Sequence, residues 1–116
     1  MGYRPYQAFF PSPGGTRPVL VGVATARVSL DGYDGRQLEM YNSGTAVVFV
    51  QLGDSSVTAT TGTASATAPT AGSYAIGPGA IVMISRAKPE GGTYTHMAHI
   101  SGTAAQTLYV TPGQGI

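Results

Sequence analysis

From Val19 onward the chain cannot run far without breaking. Short apolar stretches alternate with Gly, Pro, Asp and Ser turns at a spacing of roughly 8–12 residues, the punctuation of an all-β domain. The breaks are Asp31-Gly32-Tyr33-Asp34-Gly35, Asn42-Ser43-Gly44, Gly53-Asp54-Ser55-Ser56, Gly77-Pro78-Gly79, Pro89-Glu90-Gly91-Gly92 and Ser101-Gly102. Asp-Gly and Gly-Gly steps tolerate the positive φ of tight turns. Between them the pattern predicts strands over 19–30, 36–41, 46–52, 73–76, 80–86, 93–100 and 106–111. No window of about a dozen residues sets good helix formers at a helical period, so helix should be minimal. The expected fold is all-β: an antiparallel β-sandwich, jelly-roll-like or immunoglobulin-like, with an extended N-terminal arm. A chain of 116 residues without Cys supports one core, placed in residues 19–116.

Residues 1–18 read differently. They hold four of the eight prolines, together with Tyr3, Tyr6, Phe9 and Phe10. Pro fixes φ and donates no backbone hydrogen bond, so the segment should be extended rather than helical or central in a sheet. A free linker is usually polar, and these rings should pack on the domain or on a neighbour. Residues 58–72 are all Thr, Ala, Gly, Ser or Pro. They form either a loop or a β-excursion held by a partner.

Charged residues make up 9 % of the chain, against roughly 25 % in an ordinary soluble domain. The net charge is +1, and the six basic residues are scattered from Arg4 to Lys88. A nucleic-acid binder needs them clustered on one face, so no nucleic-acid partner is expected. The longest apolar run is about four residues, far short of a membrane-spanning helix, and no membrane partner is expected. The N-terminus lacks the apolar stretch of a secretion signal, and Tyr6 stands where N-myristoylation wants Ser or Thr. Without Cys there is no disulfide framework, thiolate zinc site or Cys nucleophile.

The motifs of chemistry are weak. His96 and His99 sit three apart, which on a strand places them on opposite faces, so a metal site is not expected. Gly53-Asp54-Ser55 resembles a hydrolase nucleophile stretch, but Val57-Thr58-Ala59-Thr60 follows where a nucleophile elbow needs a helix. A hydrolase built on Ser55 and His96 is therefore disfavoured. Asp31 and Asp34 offer two carboxylates where a calcium site needs six or more oxygens. No catalytic residue and no cofactor is expected. Tyr33, Tyr41, Tyr74, Tyr94 and Tyr109 could serve as sugar platforms in the absence of Trp.

Two strands are apolar on both faces. Alternation places Val47 and Phe49 on one face of 46–52, and Val48, Val50 and Leu52 on the other. In 80–86 it pairs Ile81 with Met83 and Val82 with Ile84. A sandwich strand usually keeps one wet face, so one apolar set should be covered from outside. Val48, Val50, Leu52, Val82 and Ile84 are taken as the outward, interface-forming set. Tyr3, Arg4, Tyr6, Phe9, Phe10 and Arg17 are taken as inter-subunit contacts of the arm.

Tyr41-Asn42-Ser43-Gly44-Thr45-Ala46-Val47-Val48-Phe49-Val50-Gln51-Leu52-Gly53 resembles small structural proteins encoded in tailed-bacteriophage head gene clusters. So do the turn Ile76-Gly77-Pro78-Gly79 and the tail Leu108-Tyr109-Val110-Thr111-Pro112-Gly113-Gln114-Gly115. The resemblance covers roughly residues 37–116, with a gap at the low-complexity segment. It implies a non-enzymatic β-sandwich decoration or cement protein on the outer capsid surface of the virion. Its partners would be the major capsid protein and further copies of itself. A tail or fibre-tip protein binding a host glycan is the alternative.

Overall fold

The structure, a computed structural model, describes residues 9–114. It holds nine strands and, among the described residues, no helix. They are β1 (Phe10–Pro11), β2 (Arg17–Val21), β3 (Ala26–Ser29), β4 (Gln37–Asn42), β5 (Val48–Gly53), β6 (Tyr74–Ile76), β7 (Ile81–Ser85), β8 (His96–Ser101) and β9 (Gln106–Gln114). One sheet runs β2-β9-β4-β7, with β1 on the same side of β9 as β2. The other runs β3-β8-β5-β6. Every pairing is antiparallel. The pairs β2–β9, β3–β8, β4–β7 and β5–β6 nest inside one another, so the chain is one long hairpin rolled into two sheets. That is the topology of a jelly roll, and of the two sandwich forms expected it is the one observed.

The expected strand at 19–30 is two. The chain leaves the first sheet after Val21 and enters the second at Ala26. Alternation runs on through Val19, Val21 and Val23, so the residue pattern hides the corner. The Gly22 carbonyl marks it, accepting the Ser101 N–H at 2.9 Å.

Residues 10–18 form an interrupted edge strand. Phe10 pairs Gln114 and Pro11 pairs Gly113, whereas Arg17 pairs Val110 and Pro18 pairs Tyr109. Three extra residues are therefore accommodated around Ser12–Gly15, where Ser12 N–H bonds the Pro112 carbonyl and Gly15 N–H bonds that of Ser12. Ser43 N–H bonds the Thr107 carbonyl across β4–β9, which fixes the alternation along β9. The nitrogens of Pro11 and Pro18 consequently face away from β9. Neither proline costs a ladder bond, as an edge position requires.

The turn after β4 is held by two buried side chains, Asn42 and Gln106. Asn42 Nδ2 donates to the Ala46 and Ile76 carbonyls, each at 2.9 Å, and its Oδ1 accepts the Gly44 N–H at 2.9 Å. Gln106 Oε1 accepts the next two N–H groups, of Thr45 and Ala46. A Cβ on Gly44 would collide with that amide oxygen, so a larger residue here would displace Gln106 from the turn.

The core fills the space between the sheets with Val21, Leu30, Leu38, Met40, Met97, Leu108 and Val110, all but sealed from solvent. Val48 and Val50 belong to it, and Leu52, Val82 and Ile84 pack against it. The assignment of these five to the outer faces is therefore reversed. Alternation sorts residues into two sets but does not say which set faces the core. Where both sets are apolar, the partner sheet decides.

Candidate interaction surfaces

The residues of possible chemistry do not converge. His96 lies on the outward side of β8, with Nδ1 2.9 Å from the Thr95 hydroxyl. His99 points into the sandwich, where burial lowers its pKa and Nδ1 has no partner. Asp54 accepts the Ser56 hydroxyl at 2.7 Å and its N–H at 2.9 Å, and these bonds hold the carboxyl below its usual pKa. Ser55 sits between them in an exposed turn. Asp31 and Asp34 are exposed, and no metal-binding cluster occurs among the described residues. Arg86 is the one deeply buried cation among them. Its guanidinium donates to the Tyr33, Leu30 and Tyr94 carbonyls, and burial lowers its pKa. Three carbonyl acceptors make it a cross-link between the 30–33 turn and residue 94, not a reactive group.

Tyr3, Arg4 and Tyr6 lie outside the described residues. Phe9 lays its ring where a Cβ on Gly113 would stand. Phe10 is 63 % exposed at the sheet edge. Arg17 serves the fold itself: its guanidinium lies 4.1 Å above the centre of the Tyr33 ring, within the range of a cation–π contact. Burial pushes the Tyr33 phenol up, against the opposing pull of Arg17.

The two outer faces differ. Behind β5 the chain folds back over the second sheet. Val57 packs against Gly53, Arg27 Nη1 donates to the Val57 carbonyl at 3.2 Å, and Ala59 N–H bonds the Thr25 hydroxyl at 2.9 Å. On this strapped side Ala98, which points outward from a central strand between Arg27 and Gln51, is fully buried. Beyond it, residues 58–72 form no named strand and are joined by a single bridge, Thr63 to Thr70.

At the β1 end of the first sheet Phe9 and Thr16 lie over the outward Gly113 and Thr111, and the rest of its outer face has no such cover among the described residues. Its outer face presents Leu20 (71 % exposed), Ile81 (62 %) and Met83 (45 %), with Tyr41 and Tyr109 between them. Tyr109 pairs Pro18 on one side and Tyr41 on the other, and Tyr41 pairs Ile81. The row is thus apolar across all four strands. The two tyrosine rings stack at 6.2 Å between centroids. Glu39 is the only charged strand residue that alternation places on this face. These residues are the exposed counterparts of the set chosen from sequence, and the alternation of β4 (Leu38, Met40 and Asn42 against Gln37, Glu39 and Tyr41) carried the signal for them.

An open groove of about 580 Å3 lies between the free edges of β6 and β7, lined by Leu52, Tyr74, Met83, Ile84 and Tyr94 with the polar Gln51, Ser73 and Ser85. Comparison of the chain with protein-family models, with curated proteins and with solved structures finds no match in any of the three.

Proposed function

We propose that the chain is a non-enzymatic virion structural protein of a tailed bacteriophage, a decoration or cement protein that stabilises the head by bridging major capsid protein subunits. The observation that carries this reading is the apolar face of the first sheet, left open by the described residues, set against the strapped face of the second. A monomeric soluble protein rarely leaves a contiguous apolar patch across a whole sheet, and such a patch marks an interaction surface. Jelly rolls recur among viral capsid domains, though a fold of this kind is a scaffold for many functions. A rigid body binding several subunits at once gains by multivalency and needs no chemistry.

The test adds the purified chain to head shells assembled from the major capsid protein of the phage that this reading assigns it to. Saturable binding that raises the temperature of shell disruption supports the reading. Folded chain that stays in the supernatant at every concentration overturns it. The groove beside Tyr74 and Tyr94 favours a second reading, a tail or fibre-tip protein that binds a host glycan by ring stacking. Glycan-array binding without affinity for shells would select it.

A further inference from the structure

Each sheet has two edges, and three of the four are protected. The β1–β2 edge carries Pro11 and Pro18 and the insertion between them. β3 has four residues and bears Arg27, and β6 has only three before Gly77-Pro78-Gly79. Prolines, charges, bulges and shortness are the devices by which soluble proteins blunt an edge. The fourth edge has none of them. β7 reads Ile-Val-Met-Ile-Ser, five residues with no charge and no proline, paired on one side only.

The hydrogen-bond alternation shows what that edge offers. Asn42 N–H bonds the Ala80 carbonyl and Arg86 N–H bonds the Arg36 carbonyl. Even-numbered residues of β7 therefore face β4, and the N–H and C=O groups of Ile81, Met83 and Ser85 point away from it. No backbone partner for these three occurs among the described residues. The groove along this edge is open.

We propose that β7 is a homodimerisation edge, on which β7 of a second copy adds antiparallel about a two-fold axis through Met83. The partner is selected by self-complementarity. Hydrogen-bonded antiparallel pairs need outward donors on both strands at the paired positions. A two-fold at Met83 sets Met83 against Met83, and Ile81 against Ser85, so each outward residue meets another. Up to about six backbone bonds close, and the two first sheets join into one. An isologous contact requires a surface compatible with itself, and an uncharged strand is. The proposal stands on this edge alone and does not depend on a place in a virion.

Sedimentation of the full chain tests it. The expected result is a dimer that Met83→Pro weakens by about tenfold or more. The Met83 N–H faces away from β4, so that substitution leaves the internal ladder whole, and at concentrations where both forms are monomeric the thermal midpoint should be unchanged. The chain has no Cys, so single cysteines report register. Paired Cα atoms about 5.5 Å apart lie within disulfide range. Under mild oxidation Met83→Cys should cross-link to itself, and Ile81→Cys should do so only when Ser85→Cys is added. A monomer at all concentrations overturns the proposal. So does a dimer that survives Met83→Pro, or one in which Met83→Cys stays reduced. If Tyr109→Arg rather than Met83→Pro dissolves the dimer, the copies meet face to face instead.

Discussion

Asn42 shows how much a single polar residue can organise. It is fully buried, and its amide supplies three hydrogen bonds that hold β4, the following turn and the end of β6 together. At roughly 1 kcal/mol each, Asn42→Ala should cost about 2–4 kcal/mol, read by chemical denaturation. His99 has no such satisfaction. Burial lowers its pKa, so the native state binds its proton less readily than the unfolded chain. Its contribution is full above the unfolded value of about 6.5 and is lost as pH falls from there through the lower folded value. The thermal midpoint should drop as pH falls below about 6.5, and His99→Phe should flatten that part of the profile. The sequence showed both residues, but not their roles. Asn42 was legible as a turn former because its neighbours are Ser and Gly. The inward direction of His99 follows only from the register β8 adopts against β5.

Strand positions were legible because turn residues are local chemistry, and seven predicted strands correspond to β2 through β9. What the sequence withheld was relational. Two strands that are apolar on both sides have no intrinsic inside, and the corner at residues 22–25 breaks no alternation. The cover over the second sheet was equally hidden, since Arg27 and Thr25 reach it from a distant strand and loop. Replacing both by Ala should free the strap with little change in global stability, because few apolar side chains anchor it. Amide exchange at Ala59 should quicken roughly fivefold or more, while that of the core strands stays put. At the opposite edge, Pro18→Ala restores a donor that has no partner. It should shift stability by less than about 1 kcal/mol, whereas Leu108→Ala, in the sealed core, should cost about 2–5 kcal/mol.

As a whole, the described residues leave one face dressed and most of the other bare. Binding through the bare face should rest on apolar burial, with Glu39 its one charged strand residue. Attachment to head shells should therefore survive about 1 M salt, where the screening length is roughly 3 Å. Tyr109→Glu should abolish it without moving the thermal midpoint, as co-sedimentation and calorimetry would show. β9 has a further consequence in time. It is the spine of the first sheet, with β1 and β2 on one flank and β4 on the other, and it is translated after all of them. Until it emerges, β2 and β4 have nothing between them, and Val21, Leu38 and Met40 lack Leu108 and Val110 beside them in the core. A ribosome carrying the chain must hold an unfinished, sticky half-sandwich until β9 has left the exit tunnel and slots in between β2 and β4.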